Sequence, residues 1–262
     1  MKVPFAHGEG RFVMPDELLN ELQSNGQVTF QYSDENGNIV NEFPTNPNGS
    51  QNNIAAVSNR AGNVMAIMPH PERTANGDQI FESMNDFIDK KESPINASLT
   101  YTPKVISPQE LNLNHKSVEW VIGLIISDNE AKSVNNALRR RGFDVEVSRY
   151  VHWEINIEGD QEKVLDKIKS SGELFNSNKE FIVDKNQGHD FSILVRQKDD
   201  VFGRAKHESL INRFNLNEIS FIKRGVIWNV NYKSSNLQNE IESILTTNIF
   251  YNPNCYEYYR IN

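Results

Sequence analysis

The sequence predicts an α/β chain in two parts. An α/β segment covers residues 1–92, and beyond a linker over 93–116 lie two tandem α+β units of βαββαβ order, 117–186 and 187–262. Three observations predict this. A short apolar run, Val64-Met65-Ala66-Ile67-Met68, precedes a rigid Pro-His-Pro and then a helical apolar stripe, the strand-then-helix succession of an α/β segment. Pro94, Pro103 and Pro108 interrupt a polar stretch with little periodic apolar content, which reads as a linker. Beyond it, Trp153-Glu154-Ile155-Asn156 is echoed by Trp228-Asn229-Val230-Asn231, with a phenylalanine 22 residues after each tryptophan, Phe175 and Phe250.

The elements follow in chain order. Ala61-Gly62-Asn63 forms a turn, and residues 64–68 form a buried strand. His70 falls just past that strand between two prolines, each of which fixes its own φ and restricts the residue before it. A helix over about 78–91 sets Ile80, Phe81, Met84, Phe87 and Ile88 on one face, to be packed against the sheet. After the linker, residues 118–126 and 191–195 open the two copies as apolar strands, followed by helices over 130–141 and 203–214. Alternating stretches over 145–157 and 219–232 come next, then a second helix in each copy. The copies close with Asn176-Ser177-Asn178-Lys179-Glu180-Phe181 and Asn252-Pro253-Asn254-Cys255-Tyr256-Glu257-Tyr258. Two such units with matching apolar faces pair as the subunits of a twofold dimer would.

Composition narrows the function. The net charge of −8 is concentrated early, with six Lys/Arg against thirteen Asp/Glu in residues 1–92. An acidic segment argues against nucleic acid, since phosphate neutralisation needs a basic patch. The single basic cluster, Arg139-Arg140-Arg141, ends a helix before Gly142, where cations suit the C-terminal dipole. One cysteine excludes an internal disulfide and fits a reducing cytoplasm, the expected location. The first residues lack the apolar core of a signal peptide, and no run reaches the roughly 18 apolar residues of a membrane span, so no membrane partner is expected.

Chemistry points to Pro69-His70-Pro71-Glu72-Arg73. A carboxylate beside an imidazole fixes its tautomer and stabilises the imidazolium formed when the ring takes a proton from a nucleophile, so Glu72 would orient His70 as a general base. On the spacing alone, a surface turn with an incidental salt bridge to Arg73 is the favoured reading. A zinc deaminase also uses His-x-Glu but needs Pro-Cys-x-x-Cys, which a single cysteine excludes. His115, His152, His189 and His207 share no metal-ligand spacing and receive no role; Trp153 and Trp228 read as core or interface packing. Gly8-Glu9-Gly10 lacks the length and lysine of a phosphate-binding loop, so no cofactor is expected on this chain.

Phe5-Ala6-His7-Gly8-Glu9-Gly10-Arg11-Phe12, Asn46-Pro47-Asn48-Gly49-Ser50, Asn53-Ile54-Ala55-Ala56-Val57, Asn59, Gly62-Asn63-Val64 and Met68-Pro69-His70-Pro71-Glu72-Arg73, taken together, resemble the C-terminal part of the glutaminase subunit of phosphoribosylformylglycinamidine synthase (PurQ). The resemblance runs through about residue 90, with Ala56 and Ala66 where the family more usually has glycine. It implies a partial flavodoxin-like class I glutamine amidotransferase domain, with His70 and Glu72 as the histidine and glutamate of a Cys-His-Glu triad. His7 and Glu9, in the same motif, would line the contact with the synthase. The nucleophile belongs on an elbow upstream of the His-Gly-Glu-Gly-Arg segment, and Cys255 has no glycine-rich elbow around it. The resemblance therefore implies that another polypeptide supplies the N-terminal half, and that this chain alone does not hydrolyse glutamine.

The second repeat resembles the small PurS subunit of the same synthase. Asp200-Val201-Phe202-Gly203 stands for its Asp-Pro-x-Gly turn, and Phe250-Tyr251-Asn252-Pro253 with Glu257-Tyr258 for its terminal elements. The first repeat is assigned through the second. Both units would then be ferredoxin-like, a tandem copy replacing the family's dimer. The resemblance implies a component of the synthase that converts formylglycinamide ribonucleotide to formylglycinamidine ribonucleotide in purine synthesis. Glutamine would be its substrate and the large ATP-dependent synthase subunit its partner, with ATP and Mg held there. A non-catalytic scaffold bridging glutaminase and synthase, and an amidotransferase serving another synthase, are the rival readings.

Overall fold

The computed structural model describes residues 1–6, 10–90, 98–102, 108–183, 188–232 and 237–261. It is mixed α/β, with two units, residues 1–104 and 105–262, each carrying its own sheet.

The first unit holds α1 (Asp16–Ser24), β1 (Val28–Gln31), β2 (Ile54–Ser58), β3 (Met65–Ile67) and α2 (Asp78–Asp89), with an antiparallel sheet in the order β1-β2-β3. Asp16 and Glu17 occupy the first turn of α1, where they oppose the positive end of the helix dipole. Central β2 buries Ile54, Ala55 and Ala56. The strand expected to be buried is instead the sheet edge: β3 pairs on one side only, Ala66 is exposed and Val64 is 62% exposed. The apolar stripe of α2 is likewise only partly covered. Ile80 is buried, while Phe81, Met84 and Ile88 are 44%, 41% and 70% exposed, because a three-stranded sheet offers area for one edge of the stripe.

The second unit runs β4 (Gln109–Glu110), β5 (Ser117–Leu124), α3 (Asn129–Arg140), β6 (Val145–Ile157), α4 (Gln161–Ser171), β7 (Glu180–Ile182), β8 (Phe191–Gln197), α5 (Val201–Phe214), β9 (Ile219–Tyr232), α6 (Leu237–Thr246) and β10 (Tyr256–Arg260). Its seven strands lie in the order β4-β10-β8-β9-β6-β5-β7. Part of the segment read as linker thus contributes a strand, β4, parallel to β10.

Each copy is βαβαβ, which corrects the expected βαββαβ order. The stretches assigned two strands are single strands of 13 and 14 residues. No turn residues interrupt 145–157, and Gly225 serves packing instead: a Cβ there would lie 2.6 Å from Leu194 Cδ1. β6 and β9 pair antiparallel, with Val151 opposite Val226, its counterpart 75 residues on. Trp153 and Trp228 are also 75 apart, so a local twofold passes through the Val151–Val226 pair and relates the copies.

The two cores are shared across that axis. Ala131 and Leu138 of α3 pack with Phe191, Ile193, Val195, Trp228 and Ile244 of the second copy, and Leu210 of α5 packs with Trp120, Trp153, Ile155, Val164 and Ile168 of the first. On the opposite face, Val121, Leu194 and Ile227 form a smaller cluster with Tyr259 and Ile261.

Candidate functional site

The local path to His70 begins in an asparagine-rich loop. Asn46, Ser50 and Asn53 are buried and satisfy one another: Asn46 Nδ2 donates to the Ser50 carbonyl at 2.9 Å and to Asn53 Oδ1 at 3.3 Å, and Ser50 N–H donates to Asn46 Oδ1 at 3.2 Å. Ser50 Oγ accepts the Phe12 N–H, Asn48 Nδ2 donates to the Gly10 carbonyl, and Asn53 Nδ2 reaches the carbonyls of Tyr32 and Val40. Asn52 and Asn53 hold φ of 51° and 53°, a left-handed region that asparagine tolerates better than most residues. The Asn46–Ser50 motif is therefore scaffolding. It launches β2, which aligns β3 and, through the Met68 N–H to the Ala55 carbonyl at 2.9 Å, the residues leading to His70.

His70 N–H donates to the Pro4 carbonyl at 2.8 Å, and Pro71–Arg73 then form one 3-10 turn. That turn folds Glu72 back, so that His70 Nδ1 lies 2.6 Å from Glu72 Oε1. With the carboxylate ionised, Nδ1–H donates and Nε2 is left as the basic nitrogen. The Glu72 carboxyl is held below the usual glutamate range, first by its own backbone N–H; burial opposes this, and the hydrogen bond and charge of the His70 ring add to the lowering. Arg73 Nε adds a cation 3.5 Å from the same oxygen. The His70 side chain is 30% exposed and that of Glu72 53%, so the pair lies open at the surface of its unit.

The sequence reading singled out neither Pro4 nor Gly77. Gly77 packs so tightly against the turn that a Cβ would overlap the Pro71 carbonyl; a glycine shortly after Pro-Glu-Arg was the only available signal. His7 and Glu9 lie outside the described residues. Cys255 is a half-buried turn residue of the second unit, its carbonyl accepting the Lys198 N–H. Trp153 donates Nε1–H to the Leu174 carbonyl, and Trp228 packs on Phe250 with ring centres 5.4 Å apart, so both are core residues. His207 contacts the Ile219 carbonyl, His189 contacts Asn231, and His152 is buried beside Glu119. Among the described residues no cluster of His, Cys, Asp and Glu is arranged to hold a metal ion, and no helix is long and apolar enough to cross a membrane.

Residues 1–95 match the CobB/CobQ-like glutamine amidotransferase domain family. Among curated proteins, the PurQ subunit of phosphoribosylformylglycinamidine synthase from Chlorobaculum parvum is 46% identical over 91 residues, covering 32% of this chain and 35% of its own length. The PurQ subunit of Methanosarcina barkeri is 44% identical over 95 residues, covering 34% of this chain and 40% of its own length. That of Thermosynechococcus vestitus is 52% identical over 75 residues, covering 29% and 30%. The chain thus spans 30 to 40% of the length of these relatives.

Proposed function

We propose that the chain is a component of phosphoribosylformylglycinamidine synthase in de novo purine synthesis, contributing the base dyad of its glutaminase. The observation that carries this reading is the 2.6 Å contact between His70 Nδ1 and Glu72 Oε1, within a segment similar to PurQ subunits.

The chemistry follows from the free Nε2. It takes the proton of a cysteine thiol, which residues 1–95 do not contain, and the thiolate attacks the side-chain amide carbon of glutamine. The resulting imidazolium, stabilised by Glu72, returns its proton to the amide nitrogen as the C–N bond breaks and ammonia leaves. Nε2 then deprotonates a water, which attacks the thioester and releases glutamate and the thiolate. Ammonia passes to the large synthase subunit, which holds ATP and Mg; this chain needs no cofactor of its own for these steps. Residues 117–186 and 187–262 serve as PurS-like modules, a reading supported by the local twofold in the β6–β9 pair.

The test is ammonia release from glutamine by the chain mixed with an N-terminal glutaminase fragment and the synthase subunit. Wild type is expected to be active only in the mixture. His70→Ala should abolish that activity, and Glu72→Gln should lower it by about 10²-fold or more, as loss of the orienting carboxylate does in related triads. A second reading, a non-catalytic scaffold between glutaminase and synthase, is favoured by the exposure of the dyad and by the position of the only cysteine in the other unit. A stable mixture that releases no ammonia would select it.

A further inference from the structure

The stretch that carries Glu72 closes on itself. Pro71–Arg73 and Ala75–Gly77 are two 3-10 turns joined at Thr74, which is extended at φ −155° and ψ 142°. The chain reverses there, and Gly77 comes to rest against the Pro71 carbonyl with no room for a Cβ. Thr74 also ties the second turn together: its carbonyl accepts the Gly77 N–H at 2.9 Å, and its Oγ1 accepts the Asn76 N–H at 3.3 Å. Residues 71–77 therefore form one closed body, and whatever fixes its far end also fixes Glu72.

Both ends of that body are held by the same short segment. At the leading end His70 N–H donates to the Pro4 carbonyl at 2.8 Å, and at the trailing end Asn76 Nδ2 donates to the Lys2 carbonyl at 3.1 Å. Val3 precedes a proline and is restricted to extended backbone, where carbonyls two residues apart face the same way. Lys2 and Pro4 thus present two acceptors in one direction. The first contact fixes a point, and the second fixes how the turn is oriented about it. Arg73 cannot supply that orientation: its Nε lies 3.5 Å from Glu72 Oε1, but it belongs to the same closed body and travels with it.

We propose that Asn76 is a positioning residue of the glutaminase base: through the Lys2 carbonyl it holds Glu72 Oε1 against His70 Nδ1 and so keeps Nε2 as the basic nitrogen. Its part in glutamine hydrolysis rests on the function proposed above; its hold on the ring does not. Asn76 and Lys2 are both exposed, so water replaces their hydrogen bond at little cost in stability while leaving the turn untethered. The loss is expected in the ring and in kcat, not in the melting temperature.

The test is NMR of the ring nitrogens in the full chain, at a pH where the rings are neutral, with the His70 signals assigned by their absence in His70→Ala. Wild type is expected to hold His70 mainly as the Nδ1–H tautomer, and Glu72→Ala marks the ring without its carboxylate. Asn76→Ala should move the His70 shifts toward those of Glu72→Ala. Asn76→Asp, of the same shape but without the donor, should move them at least as far. In the reconstituted glutaminase assay, Asn76→Ala should lower kcat by about fivefold, the population change that loss of one hydrogen bond allows, with KM for glutamine unchanged. His70 shifts that stay at their wild-type values in both variants would overturn the proposal. So would a shift accompanied by a fall in melting temperature as large as that of Gly77→Ala, which would make Asn76 a residue of the fold alone. A wild-type mixture that releases no ammonia would remove the catalytic reading, and the ring shifts would still decide whether Asn76 holds the dyad.

Discussion

His152 is 1% exposed, with Nε2 2.8 Å from Glu119 Oε1 and Nδ1 3.5 Å from Arg196 Nη2. Arg196 Nη1 lies 2.8 Å from Glu154 Oε2, and Ser117 donates to the other oxygen of Glu154 at 3.0 Å. The ring is therefore a neutral link between a carboxylate and a guanidinium. Burial, then the charge of Arg196, push its pKa down to about 3, with Glu154 opposing. An unfolded histidine titrates near 6.5, so between those values the unfolded chain binds the extra proton and the folded chain does not. Stability from this group is complete above pH 6.5 and is lost as pH falls toward 3, at about 1.4 kcal/mol per pH unit. His152→Gln keeps an N–H for Glu119 and cannot be protonated. Urea unfolding from pH 7 to 4 should show a slope shallower by one proton in that variant. An unchanged slope would assign the acid sensitivity to carboxylates alone.

At the scale of elements, two glycines show what sequence reasoning could and could not see. Gly203 was legible as part of the Asp200-to-Gly203 turn, and the structure gives its cause. Asp200 Oδ1 accepts the Gly203 N–H at 2.8 Å, Oδ2 accepts the Arg224 N–H at 2.6 Å, and a Cβ at Gly203 would strike the Asp200 carboxylate. Asp200 thus caps α5 and ties it to β9. Asp200→Ala should cost about 2 kcal/mol, one cap plus one stranded N–H, read by urea denaturation; a loss under about 0.5 kcal/mol would mean that water replaces both bonds. Gly77 was not legible, because its constraint is the Pro71 carbonyl reached through a fold-back that no pattern encodes. Gly77→Ala should displace the turn carrying Glu72 and lower reconstituted glutaminase activity with the dyad residues unchanged. The helices and the repeat were readable because apolar period and cap chemistry are local properties. The single long strands β6 and β9 were not, since alternation does not reveal whether a strand turns midway. The partial cover of α2 also escaped, because a stripe shows which face wants burial and not what is present to bury it.

For the second unit as a whole, the local twofold has an energetic consequence. Leu138 of α3 and Leu210 of α5 are both fully buried, and each serves the cluster built largely on the other copy's strands. Neither copy therefore closes a core with its own first helix. The long β6–β9 pairing joins the same two halves through backbone hydrogen bonds along thirteen paired positions. Copies linked in this way should not unfold independently, in contrast with repeat arrays whose units contact only their neighbours. Leu138→Ala should destabilise by about 2–5 kcal/mol, the range for a large-to-small change in a packed core, and Leu210→Ala by a similar amount. Because each leucine serves the opposite copy, either change should lower the stability reported by probes in both copies together. Trp153 and Trp228 sit one in each cluster, so variants retaining a single one of them, with Trp120 also replaced, would report each copy separately. Coincident fluorescence transitions, shifted equally by Leu138→Ala, are the expected result. A transition of the first copy that moved alone would mean that the copies hold separate cores and that the twofold is geometric only.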